Sequence, residues 1–140
     1  ISFIVSQLFI VNNYGQRIDA TTCTNHLNSV TNNIVYDYVD EMPEPIGGPS
    51  KLYQELGEKV KFPSIDKKEN LELPSKFIIQ FIITNTGKVN EIRIEPEIES
   101  FNLKEQLDIA LNNLEWTPGK CNGIPVSVNF ILPLRIHWDQ

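Results

Sequence analysis

The stretch "VSVNFILPLRIHW", residues 126–138, decides the fold. Its even positions Val126, Val128, Phe130, Leu132, Leu134, Ile136 and Trp138 are all apolar. Ser127, Asn129, Pro133, Arg135 and His137 alternate with them, and Ile131 is the one apolar exception. A repeat of two is the repeat of a β-strand with one face on a core. Pro133 interrupts this otherwise regular strand. Proline has no N–H to give to a ladder, so the strand is expected at a sheet edge. A long edge invites aggregation unless it is covered or used. Its use would be pairing with an extended peptide from a partner. The alternative is a plain edge guarded by Pro133, Arg135 and the N-terminal segment.

Upstream, "TPGKCNGIP" (117–125) is a loop rich in turn residues. Before it, Leu103, Leu107, Ala110, Leu111 and Leu114 recur at helical spacing. Asn102, with Glu105 three residues on, stands in capping-box position for that helix. Lys76 to Thr84 reads as a strand with Phe77, Ile79, Phe81 and Ile83 on one face and Ile78 and Ile82 on the other. Apolar residues on both faces suggest a central strand. "TNTGK" (84–88) makes a tight turn in which Gly87 takes a positive φ. Val89 to Glu95 returns as a strand with Ile92 and Ile94 inward, and Pro96 ends it. Pro49, after the Gly47-Gly48 turn, opens a helix with Leu52, Tyr53, Leu56 and Val60 on its apolar side. Phe62-Pro63 closes it. Ile34 to Val39 has strand-forming residues suited to a sheet edge, and Pro43 and Pro45 follow. The order strand, helix, strand, strand, helix, strand predicts an α+β fold. The expected form is a small antiparallel sheet of three or four strands with two helices packed on one face.

The 140 residues suit one domain with a real core. A net charge of −6 argues against nucleic acid and against an anionic membrane surface. Residues 1–15 begin with the apolar "ISFIVSQLFIV", read as a signal-peptide remnant cut near Gly15-Gln16 or, with sequence upstream of Ile1, as a membrane anchor. A buried strand or helix is the plainer reading of the same run. Residues 16–33, polar and without periodicity, read as a linker or tail, and residues 34–140 as the domain. Cys23 and Cys121 are an even pair, as a disulfide requires in an exported protein. Two separate thiols remain the alternative.

Three blocks, "VDEMPEPIGG" (39–48), "FIIQFIITNTGKVNEIRI" (77–94) and "LEWTPGKCNGIPVSVNFILPLRI" (114–136), resemble the C-terminal domain of TonB energy transducers of the Bacteroidetes type. The resemblance covers residues 34 to 138 and includes the proline within the last strand. It implies a periplasmic, non-enzymatic module, either soluble or anchored in the inner membrane. Such a module pairs its last strand with an extended segment of a TonB-dependent outer-membrane transporter. Inner-membrane proton-channel proteins would be partners if the chain is anchored. Carried over, the peptide-binding strand holds Val126, Ser127, Val128, Asn129, Phe130, Ile131, Leu132 and Arg135. Of these, Ser127, Asn129, Ile131 and Arg135 face away from the core. Trp116 is expected in the core. The segment between Gln16 and Val35 is short and not proline-rich, unlike the long spacer of full transducers. A structural or regulatory envelope protein without energy coupling, able to form a homodimer through its edges, is therefore the second reading.

Chemistry has few residues to stand on. Cys23, His26, Cys121 and His137 are a sparse zinc set, so no metal is expected. Asp37, Asp40, Glu41 and Glu44 read as a solvated acidic face. The chain has no nucleotide or HExxH motif, and neither an enzyme nor a cofactor is expected.

Overall fold

The computed structural model describes residues 10–11, 17–18, 23–61, 74–97 and 102–135. Within them lie β1 (Ile10–Val11), β2 (Arg17–Ile18), β3 (Thr24–Leu27), β4 (Ile34–Tyr38), β5 (Glu44–Pro45) and α1 (Pro49–Lys59). Then follow β6 (Lys76–Ile83), β7 (Val89–Glu95), α2 (Leu103–Asn112), β8 (Trp116–Thr117), β9 (Gly119–Cys121), β10 (Ile124–Val126) and β11 (Val128–Arg135). The fold is α+β. Its main sheet is mixed and five-stranded, in the order β3-β4-β11-β6-β7. Three two-stranded ladders, β1-β2, β5-β8 and β9-β10, complete it.

One buried cluster gathers Phe77, Ile79, Phe81 and Ile83 of β6, Phe130 and Leu132 of β11, and Val89 and Ile92 of β7. Leu52 and Leu56 of α1 and Leu103, Leu107 and Leu111 of α2 belong to the same cluster. Each such side chain stabilises the fold by ~1.5–3 kcal/mol. The apolar stripes read in the sequence are therefore the buried faces. Gln106 ties the helices together: its Oε1 accepts from the Lys61 N–H at 2.6 Å and its Nε2 donates to the Lys61 carbonyl at 3.1 Å.

Several expectations need correction. The sheet is neither purely antiparallel nor limited to three or four strands, because β4 runs parallel to β11 through the Val128–Tyr36 bridge. Strand β4 is not an edge, since β3 pairs with its other side. Residues 16–33 are not simply a tail: Thr24–Leu27 is the outermost strand, and Arg17–Ile18 pairs with Ile10–Val11. The rest of 1–15, Phe62-Pro63 and residues 136–140 lie outside the described residues. Asn102 does precede α2, but with φ 52° and no side-chain cap bond, so it acts by tolerating the left-handed region rather than by a capping box.

Strand β7 carries a bulge. Gln80 pairs with Arg93 but Ile82 pairs with Asn90, so Glu91 and Ile92 together oppose Phe81. The extra residue, Glu91, sits at φ 51°. In a regular strand Val89 and Ile92, three residues apart, would point to opposite faces; the bulge lets both be buried. Glu91, next to inward-facing Ile92, carries its carboxylate on the outer face, beside Asn28, Gln80 and Asn129.

That face is partly covered. In a flat sheet β3 and β7 would lie four strand spacings, roughly 19 Å, apart. Yet the Asn28 Nδ2 donates to Glu91 Oε2 at 2.8 Å. The β3–β4 hairpin therefore curls over the outer face. Its tip residue Asn28 is buried and also builds the turn, its Oδ1 accepting from the Val30 and Thr31 N–H groups at 2.8 and 3.2 Å. Val35, 2 % exposed, is the hairpin's one buried apolar side chain. It lines a small cavity with Gln80, Ile82, Asn129, Arg93 and Glu91. At the hairpin's base, both legs are fixed to β9. Cys23 is joined to Cys121 by a disulfide. Glu41 and Lys120 exchange backbone hydrogen bonds at 3.1 and 2.9 Å.

Candidate functional site: a half-open strand

Strand β11 has two different flanks. On one side all eight of its residues pair antiparallel with β6, from Val128–Ile83 to Arg135–Lys76. On the other side the described residues supply only the bridge to Tyr36. The Tyr36 N–H donates to the Ser127 carbonyl at 2.8 Å. Backbone groups of successive strand residues point to opposite sides. Odd residues of β11 therefore aim their N–H and C=O towards β4, and even residues aim theirs at β6. Past Asn129 nothing among the described residues takes the odd groups. Among the described residues, Ile131 to Arg135 is open on this flank.

This parity explains the proline. Pro133 is odd, so its missing N–H falls on the open side, and the ladder to β6 loses nothing. An interior strand accepts a proline where one flank is unpaired. The sequence-based placement of the whole strand at an edge is thus corrected to its second half.

The predicted binding residues divide accordingly. Val126 lies in β10, opposite Gly119. Ser127 is taken by Tyr36, and its Oγ accepts from the Asn85 N–H at 3.3 Å. Val128, Phe130 and Leu132 are buried. Asn129 is half-buried, and its Nδ2 donates to Asp37 Oδ1 at 3.5 Å. Ile131, 51 % exposed, and Arg135 remain on the open part. Sequence reading left Pro133 and Ile78 off this set. Ile78 faces Pro133 across the ladder and is 37 % exposed. Its outward position was legible in the two-faced pattern of β6; its register against Pro133 was not. Ile131, Pro133 and Ile78 are apolar neighbours on the outer face, bordered in the ladder by Gln80, Glu95, Lys76 and Arg135.

The titratable groups nearby serve the hairpin. His26 Nδ1 lies 2.7 Å from Asp37 Oδ2; a carboxylate only accepts, so the imidazole donates. The pair joins β3 to β4. The sparse zinc set is not assembled: Cys23 and Cys121 are disulfide-bonded, His26 is paired with Asp37, and His137 lies outside the described residues. Cys23, Asp40 and Cys121 do cluster, with ligand atoms within 4.8 Å. Both sulfurs are spent in the disulfide, and each Asp40 oxygen accepts a backbone N–H at 3.1 Å, from Glu41 and Asn122. A separate open cavity of about 360 Å³ lies between the β6–β7 turn and the end of α2, beside Ile46, Lys88, Glu115 and Trp116. Trp116 itself is core, in edge contact with Phe81 and Phe130 at 5.8 and 5.7 Å.

Among the described residues no helix is long and apolar enough to cross a membrane. Compared with protein-family models, curated proteins and solved structures, the chain matches none of them.

Proposed function

We propose that this domain is a periplasmic, non-enzymatic module of the TonB C-terminal type, which binds an extended segment of an outer-membrane transporter by strand addition. The observation that carries the reading is the second flank of Ile131–Arg135, which no described residue pairs, beside an apolar patch. The resemblance of the 39–48, 77–94 and 114–136 blocks, Pro133 included, also supports it. A guest strand would exchange backbone hydrogen bonds with odd residues only, and alternate guest side chains would lie against Ile131 and Pro133, with Ile78 behind them on β6.

The parity makes the test specific. Short synthetic peptides from candidate transporter segments are added to saturation and amide exchange is followed residue by residue. Ile131 and Arg135 amides gain protection, whereas Leu132 and Leu134, already bonded to β6, do not change. Replacing Ile131→Pro removes one donor on the open side alone. It lowers peptide affinity at least roughly tenfold, the worth of one backbone bond and its displaced guest, and leaves the fold intact. Unchanged exchange at Ile131 and Arg135 across such a peptide set would remove the support for strand addition.

A further inference from the structure

We infer that the Cys23–Cys121 disulfide sets how much of β11 the domain offers to a partner strand. This rests on the strand-addition reading and adds its regulation. In the disulfide-bonded form, β4 occupies β11 at Ser127–Asn129, and the open edge is confined to residues 131–135. With the hairpin lifted, the edge runs from 127 to 135.

The hairpin's other attachments are few. All four residues of β3 are exposed. Val35 is its single buried apolar residue, and Asn28 to Glu91 is its one polar contact with β7 among the described side chains. The His26–Asp37 pair lies within the hairpin, and Asp37 Oδ1 also accepts a long bond, 3.5 Å, from Asn129 Nδ2 of β11. One β-bridge joins β4 to β11. At the base, the Glu41–Lys120 pair and the Asn122 N–H to Asp40 Oδ2 bond hold the end of β4, and among the described residues the disulfide is the tie that fixes the start of β3 to β9. Cleaving the disulfide frees the outer leg and leaves the inner leg as a hinge.

Both cysteines are half-buried, so a reductant reaches them from solvent. The step is thiol–disulfide exchange with an external dithiol. Its thiolate attacks one sulfur, forms a mixed disulfide and expels the other cysteine. Its second thiol then displaces the first cysteine. The reductant leaves as a disulfide, and two electrons and two protons end on Cys23 and Cys121. The Asp40 carboxylate lies within 4.8 Å of both sulfurs, and its negative charge repels an incoming thiolate.

The test compares the oxidised protein, the dithiothreitol-reduced protein and the Cys23→Ser/Cys121→Ser variant by amide exchange. The Tyr36 amide reports the hairpin, and the Phe81 amide, central in β6, reports the whole fold. On reduction, Tyr36 protection falls at least roughly tenfold and lies far below that of Phe81, as for a unit that opens by itself. The variant reproduces this without reductant. Unchanged Tyr36 protection overturns the inference. So does equal protection of Tyr36 and Phe81 in the reduced protein, because the hairpin would then open only with the whole fold. The same three samples are titrated with a transporter peptide that protects Ile131. Affinity rises roughly tenfold on reduction through the extra edge bonds. If no peptide binds any sample while Tyr36 behaves as expected, strand addition fails and hairpin release stands. If the peptide binds all samples equally and Tyr36 is unchanged, hairpin release fails and strand addition stands.

Discussion

Removing the disulfide by Cys23→Ser/Cys121→Ser is expected to lower stability by as much as ~4–5 kcal/mol and the melting temperature by on the order of 15 °C. The bond spans a sequence separation of 98 residues. It therefore denies the unfolded chain most of its freedom to separate its ends, and the chain-entropy model scales that loss with the logarithm of loop length. The figure is an upper value, because a freed hairpin gains some entropy in the native state as well. Urea unfolding of the oxidised and double-serine proteins measures it. The variant should also show a larger denaturant dependence, since its unfolded chain exposes more surface. A loss below about 1 kcal/mol would mean that the unfolded ensemble already holds residues 23 and 121 together.

Gly87→Ala is expected to cost about 3 kcal/mol. Gly87 sits at φ 83°, in the turn between β6 and β7. Any side chain there adds roughly 1–2 kcal/mol of backbone strain. A methyl at this position would also meet the Trp116 carbonyl oxygen well inside van der Waals contact. That oxygen cannot easily retreat. Trp116 is buried against Phe81 and Phe130, and its Nε1 donates to the Leu111 carbonyl at 3.1 Å. Overpacking of this kind costs ~1–3 kcal/mol more. Gly123→Ala is the control: its φ is 78°, but nothing lies within 4 Å of the added carbon. It should lose the strain alone. Equal losses for the two variants, by thermal or urea unfolding, would show that the turn does not press on Trp116.

Hydrophobic repetition made half of this architecture readable. The even positions of β11, the two-faced pattern of β6 and the stripe of α2 each follow from which side chains meet the core. Strand β3 was invisible for the complementary reason. "TNHL" buries no side chain, so it carries no alternation, although its backbone is fully part of the sheet. Periodicity reports burial, not hydrogen bonding. Strand order was equally out of reach, because nothing local records that β4 runs parallel to β11. The bulge at Glu91 did leave a trace: Val89, Ile92 and Ile94 break the repeat of two by one residue. Pro133 was rightly read as a sign of missing pairing. A proline reports one backbone position on one flank, however, and cannot say how far the opening extends. The open edge needed the parity set by a single hydrogen bond, from Tyr36 to Ser127.

The disulfide also fixes how the domain carries mechanical tension. Pulling on the chain upstream of Cys23 while a guest strand resists on β11 loads a short route. The force crosses from Cys23 to Cys121 and reaches β11 within the same β9–β10 hairpin. Everything between the two cysteines, including both helices, β6 and β7, forms a closed covalent ring outside that route. The sheet can then be tugged without its core being drawn out. In single-molecule stretching by the chain ends, the reduced domain should release roughly 350 Å more contour than the oxidised one. Equal extensions would show that Cys23 and Cys121 are not bonded to each other in the oxidised domain.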